Sequence, residues 1–256
     1  MHPERYARSV QPEQFVYPSR EIPLVEAYGG RFEAVFILLH PFIEVPEQFA
    51  WRVTRRYPAD VEIASQGSRY AWTEVGRQTG LTSCARLNLA LLTASGSVTG
   101  DLADPTAQNL LQHFLQSQPV WMPTEGRFEP LLHADLLHVF EAAGCAELVH
   151  VPEFLNADPV VQLSLDLLRR SAISFPDGGT LLAPDASFLF TVDWESFFTL
   201  FYGPRDFLAQ QAGQSNLEGF FATPNTDHAW FNYSMGCATV TLSPEHWQPA
   251  EPISSK

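Results

Sequence analysis

Between Phe188 and Tyr233 the chain carries 13 of its 32 aromatic residues in under a fifth of its length. The block reads Phe-Leu-Phe-Thr-Val-Asp-Trp-Glu-Ser-Phe-Phe-Thr-Leu-Phe-Tyr-Gly-Pro from Phe188, then Leu-Glu-Gly-Phe-Phe-Ala-Thr-Pro-Asn-Thr-Asp-His-Ala-Trp-Phe-Asn-Tyr from Leu217. Each such ring removes roughly 150–250 Å² from water when buried. The block is therefore a dense core, or a core that also carries a binding face. A hydrophobic content of 45% against 17% charged residues makes the chain globular rather than disordered. At 256 residues it can bury a core without disulfide or metal staples.

The basic residues exclude more chemistry than any motif supports. The only lysine is Lys256. A phosphate-binding loop needs a lysine after its glycines, and a pyridoxal Schiff base or a Ser–Lys hydrolase needs an internal one. The formal net charge of −14 opposes contact with nucleic acid or anionic lipid, which both require Lys and Arg. It is compatible with a basic protein partner, or simply with solubility. No cofactor motif is present, so no cofactor is expected.

Cys84, Cys145 and Cys237 are widely spaced and form no CxxC pair, so no disulfide framework is expected. The N-terminal Met-His-Pro-Glu-Arg-Tyr-Ala-Arg-Ser lacks the apolar run of a secretion signal. The longest apolar stretch, Ala34 to Ile43, contains His40 and Pro41 and is too short to span a bilayer. The expectation is a cytoplasmic protein with reduced thiols and no membrane contact.

Residues 1–30, with prolines at 3, 12, 18 and 23, read as an extended arm. Arg31 to His40 reads as a strand with both faces buried. Residues 58–143 read as a helical region. Its helices start near Pro58, Trp72, Thr82 or Ser83, Asp104-Pro105 and Pro130, and glycines at 80, 96 and 144 stop three of them. Residues 146–242 read as mixed sheet with short helices. Strands fall at Glu147–Val151, Ser171–Phe175, Thr180–Ala183 and Ser187–Val192, the second and third joined by a hairpin at Pro176-Asp-Gly-Gly179. Asp193 is placed to cap a helix in which Trp194, Phe197, Phe198 and Phe201 fall at helical spacing, closed by Gly203. A further short helix spans Pro204 to Ala212. Leu217–Ala222 and His228–Tyr233 pair as a hairpin, and Cys237–Leu242 forms a last strand. The order indicates an α+β fold, a helical region packed on a largely antiparallel sheet, as one unit over residues 1–256. A boundary near residue 146 is the alternative.

The patterns Phe-Ile-Leu-Leu-His-Pro-Phe around His40, Trp-Glu-Ser-Phe-Phe-Thr-Leu at 194–200, and Leu-Glu-Gly-Phe-Phe-Ala-Thr with His-Ala-Trp at 217–230 resemble a bacterial family catalogued as a domain of unknown function. The resemblance covers most of the chain and carries over no catalytic residue. In its acidic composition the later half is also similar to small immunity proteins that neutralise bacterial toxins.

Five residues stand out as a candidate binding surface. Asp193 and Glu195 are paired carboxylates suited to acid–base work, although a cap at Asp193 and the helix dipole at Glu195 explain them structurally. His228, Trp230 and Asn232 alternate on one face of an expected strand, with Asp227 beside them to orient the imidazole. Other candidates fit their chemistry poorly. His133 and His138, with Asp135 between them, lie at i and i+5, which splays two helical ligands by about 140°. Cys145 and Cys237 follow glycines but show no nucleophile signature. Trp72 to Leu92 has a helix–turn–helix look in which Arg69, Arg77 and Arg86 would touch phosphates, against the net charge. Asp101 and Asp104 form a DxxD, half explained by a cap at Asp104.

Two functions follow. The first is a non-enzymatic protein-binding protein, of which an immunity-type inhibitor is one form, holding a basic partner through the acidic, aromatic C-terminal half. The second is a small-molecule enzyme, a hydrolase with a pocket between helical region and sheet, using His228, Asp193 and Glu195.

Overall fold

The computed structural model describes residues 11–46, 56–155 and 158–231. Its strands are β1 (Ala34–Leu39), β2 (Phe42–Glu44), β3 (Ser68–Tyr70), β4 (Val120–Trp121), β5 (Glu147–Val151), β6 (Val161–Ser164), β7 (Gly179–Leu182), β8 (Leu189–Val192), β9 (Phe198–Gly203) and β10 (Gly219–Phe221). Its helices are α1 (Asp60–Gln66), α2 (Trp72–Thr79), α3 (Cys84–Ser95), α4 (Pro105–Ser117), α5 (His133–Ala142), α6 (Leu165–Arg169) and α7 (Arg205–Gln214), with short 3-10 turns between.

Seven strands form the main sheet in the order β10-β1-β9-β8-β7-β5-β6, and every neighbouring pair is antiparallel. The fold is thus α+β on a large antiparallel sheet. β1 and β9 make its spine, in register from Ala34 opposite Gly203 to Leu39 opposite Phe198. Both strands are buried along their whole length. Alternate side chains serve two separate cores, as the period-2 pleat requires. Val35, Ile37, Leu39, Leu200 and Tyr202 join Trp72, Leu87 and Leu111 of the first helical layer. Phe36, Leu38, Phe190 and Phe201 join Phe140, Leu165 and Leu208 of the second. The sheet therefore lies between two helical layers. β2, β3 and β4 make a small antiparallel sheet beside it.

Capping explains why the helices start and stop where they do. The Asp104 carboxylate accepts the Ala107 N–H at 2.9 Å, and Pro105 follows at the first helical position. Gly80 and Gly96 end α2 and α3 with φ of 76° and 88°, where a side chain would be strained.

Three expectations are overturned. The helix read from Asp193 to Gly203 is a turn followed by β9. Phe197, Phe198 and Phe201 match helical spacing by coincidence, because a strand covered on both faces is a continuous apolar run with no period of its own. Ser171–Phe175 is not a strand, so the hairpin at Pro176–Gly179 does not form. β7 instead pairs with β8 through the turn at Pro184 and Asp185, and with β5 on its other side. Among the described residues, Leu217–Ala222 does not pair with His228–Phe231. β10 pairs with β1, and 228–231 is a turn. The strand expected at Cys237–Leu242 lies outside the described residues.

From Gln11 onward the arm is more structured than its prolines suggest. Phe15 and Leu24 are buried in the first core, and Tyr28 packs edge-on against Tyr202 with centroids 5.2 Å apart.

Candidate functional site

The antiparallel order brings the ends of β1, β5 and β8 and the starts of β7 and β9 to one end of the main sheet. There the β8–β9 connection makes a tight corner. The Asp193 carboxylate accepts the Glu195 N–H at 3.0 Å, and the Asp193 carbonyl accepts the N–H and the hydroxyl of Ser196 at 3.0 and 2.9 Å. Asp193 therefore caps a turn, not a helix. The loop at Gly126 backs the corner. The Gly126 N–H donates to the Ser196 carbonyl at 2.8 Å, and a Cβ at Gly126 would lie 2.1 Å from the Trp194 carbonyl.

Arg20, on the arm, completes the corner. Its Nη2–H and Nε–H donate to the two Asp193 oxygens at 2.5 and 3.2 Å, and its Nη1–H to Glu195 at 2.9 Å. Asp193 is buried and Arg20 half exposed, so the pair closes the corner against solvent. Glu153 feels the same charges. Burial and Asp193 push its carboxyl up while Arg20 pulls it down. Its neighbour Phe154 is exposed.

The five candidate residues separate into layers. Glu195 is at the rim and Asp193 beneath it. His228 and Trp230 are not on a surface at all, being 9% and 2% exposed. The Trp230 ring sits between Phe198 and Phe220 at 5.5 and 5.0 Å. His228 Nδ1 shares a hydrogen bond of 2.8 Å with the Tyr17 hydroxyl, and the two rings meet edge-on. Burial lowers the His228 pKa, and the field of Asp193 acts in the opposite direction. Asn232 lies outside the described residues. The aromatic block is therefore mostly core. Among the described aromatic residues of the block, Trp194 is the exception, 60% exposed on the corner.

The other candidates have local roles. His133 Nε2 bonds the Phe128 carbonyl at 3.1 Å, and its ring stacks on Phe175 at 3.8 Å. Arg69 pairs with Asp135, Arg77 with Glu74, and Arg86 with Asp104. Burial raises the Cys145 thiol pKa. Cys237 lies outside the described residues. Among the described residues no three His, Cys, Asp or Glu side chains gather as metal ligands. None of the described helices is long and apolar enough to cross a membrane.

Sequence reasoning passed over a second polar cluster at the same end. His40 and Glu129 are both fully buried. Thr124 joins them. Its carbonyl bonds His40 Nδ1 at 3.1 Å, and its N–H and hydroxyl donate to Glu129 Oε2 at 2.9 and 2.6 Å. A cavity of about 280 Å³ opens beside Thr124, lined also by Tyr57, Glu125, Arg127 and Phe197. The signal for His40 was its place inside an apolar run, where an imidazole must find partners in the core. The signal for Glu129 was weaker, a carboxylate one residue ahead of a proline-started turn.

An α+β protein with helices on both faces of an antiparallel sheet, and a closed acidic corner bearing one displayed tryptophan, is the class that the fold and site define. The chain belongs to the family described as "Protein of unknown function (DUF2711)", which it matches over residues 20–232. It is 20% identical over 224 residues to the uncharacterized protein YwbB of Bacillus subtilis (strain 168), a match covering 85% of this chain and 98% of that one. No solved structure matches it. The matched span begins at Arg20 and extends past Trp230, so it contains the whole corner.

Proposed function

We propose that this is a protein-binding protein that holds a basic segment of its partner at the Trp194 corner. The observation that carries the reading is the display of Trp194, 60% exposed, on a corner fixed from beneath by Asp193, Ser196 and Arg20. An exposed indole on a rigid turn is an inexpensive anchor, because little side-chain freedom is lost when it is covered. Glu195, Glu153 and the chain's net charge of −14 complement a basic surface and speed encounter with it. Phe154, exposed beside Glu153, supplies more apolar area. An immunity-type inhibitor of a basic toxin is the narrower form of this reading, and a cytoplasmic location suits it.

The hydrolase alternative draws on His228, Asp193 and Glu195. Arg20 occupies both carboxylates, and Tyr17 occupies the buried imidazole. The geometry favours binding over acid–base turnover.

Crosslinking of the wild-type chain and Trp194→Ala in the native host tests the reading. The expected result is a stoichiometric, basic partner recovered with wild type, lost with Trp194→Ala, and weakened by salt. Equal recovery of the same proteins by both chains refutes it.

A further inference from the structure

A different cavity, of about 320 Å³, lies where the main sheet meets the small one. Arg69 and Glu218 line it together with Leu39, Pro41, Leu132 and Leu217. The two charges face one space without bonding each other. Each is anchored from behind. Arg69, in the middle of β3, donates through Nη2 to the Leu131 carbonyl at 2.8 Å and to Asp135, and through Nη1 to the Ser215 carbonyl at 3.4 Å. Its Nε–H has no partner among the described residues. Glu218, just before β10, takes the N–H groups of Trp72 and Thr73 on its two oxygens at 2.7 and 3.0 Å. It thereby caps α2, whose own N-cap residue Ala71 offers no side-chain bond. The Glu218 carbonyl is fixed in turn by the Leu39 N–H at 2.9 Å.

Neither side chain can swing across to neutralise the other without giving up these bonds. A half-buried guanidinium and a half-buried carboxylate held apart across an apolar floor are complementary to one kind of small molecule. It carries a carboxylate at one end, an ammonium at the other, and an apolar side chain between them. We infer that this cavity binds a free α-amino acid with an apolar side chain. Its carboxylate meets the open Nε edge of Arg69, its ammonium meets the remaining lone pairs of Glu218, and its side chain packs on Leu39, Leu132 and Leu217. The volume lies at the small end of the range for ligand pockets, as an amino acid requires. Burial disfavours both charges, lowering the Arg69 pKa and raising that of Glu218. A zwitterion gives Glu218 an opposite charge and Arg69 a second carboxylate besides Asp135, and the anchors mean that neither must be reordered to receive it.

Isothermal titration of the full chain with L-valine, L-leucine and L-methionine tests the inference, with leucinamide and 4-methylpentanoate as partners lacking one charge each. The expected result is one-site saturable binding of at least one of the three amino acids at millimolar concentration or below. Leucinamide and 4-methylpentanoate bind more weakly than L-leucine by about tenfold or more, a ratio read directly from Kd. Arg69→Gln and Glu218→Gln weaken the amino acid by a similar factor. Because Glu218→Gln also weakens a helix cap, Ala71→Phe is the companion variant. It fills the cavity while leaving both charged side chains in place, and abolishes binding while the thermal midpoint stays near wild type. Absence of binding by all three amino acids, or equal binding of leucinamide or 4-methylpentanoate, overturns the inference.

Discussion

The Arg20 guanidinium forks onto the Asp193 carboxylate across 173 residues of sequence. The arm is thus tied to the β8–β9 corner, and the residues that precede β1 take part in the site at the sheet's end. Removing Arg20 leaves Asp193 as a buried carboxylate with one backbone bond and Glu195 close by. Arg20 is half exposed, so solvent screens the pair and the full cost of a buried ion pair does not apply. Arg20→Ala is expected to lower stability by about 1–2 kcal/mol, measured by urea denaturation. The loss should shrink as ionic strength rises. A loss unchanged by salt would mean that the arm's packing, not the charge pair, holds the corner.

Trp194 and Trp230 sit 36 positions apart in one aromatic block, yet they should respond oppositely to truncation. Trp230→Ala empties a space walled by Phe198 and Phe220 and should cost about 3–5 kcal/mol. Trp194→Ala removes an exposed ring and should stay within about 0.5 kcal/mol of wild type. Thermal unfolding of the two variants decides the matter. A large loss at Trp194 would make it a structural residue and remove the main support for a binding corner.

Gly126 has φ of 72° and lies under the Trp194 carbonyl. Alanine there is strained in two ways, by its backbone conformation and by the clash of its Cβ with backbone that has no rotamer to relieve it. Gly126→Ala should therefore cost at least about 1–3 kcal/mol. It should also move the corner, so partner recovery falls although no side chain of the binding face has changed. A chain that binds normally with Gly126→Ala would show that corner geometry does not matter to recognition.

Elements governed by neighbours in sequence were legible. Trp72–Thr79 ends at Gly80 and Pro105–Ser117 begins at Asp104, because caps and left-handed glycines are local devices. The apolar run at Ala34–Leu39 declared a strand buried on both faces. The same logic applied to Phe198–Gly203, but spaced aromatics imitated a helix stripe, and only the pairing with β1 and β8 decides between the two. The site was less legible for a related reason. Asp193 and Glu195 were visible as carboxylates, but their partner Arg20 is fixed by tertiary contact alone. His228 and Trp230 were visible as a polar–aromatic pair, but their burial depends on what Tyr17, Phe198 and Phe220 bring over them. Arg69 and Glu218 face one cavity only after β3 and β10 are assembled.

His40 makes the fold sensitive to acid. The Thr124 carbonyl can only accept, so Nδ1 carries the imidazole proton and Nε2 accepts from the Thr199 hydroxyl at 2.9 Å. Burial lowers the His40 pKa from 6.5 to about 4. The unfolded chain therefore binds a proton that the folded chain refuses in this interval. Stability from neutral His40 is complete above about pH 6.5 and is lost as pH falls towards 4, by up to about 3 kcal/mol. His133 and His228, also lowered by burial, add to the loss with the same sign. Glu129 has the opposite sign, since burial raises its carboxyl above 4.5 and the contribution it makes below that point fades as pH rises. His40→Gln can keep a donor for Thr124 and an acceptor for Thr199 while removing the titration. Urea denaturation at about pH 7 and about pH 5 should show the difference between the two conditions reduced by about 2 kcal/mol in His40→Gln. An undiminished difference would assign the acid sensitivity to His133 and His228, and would mean that His40 titrates in the folded chain much as it does in water.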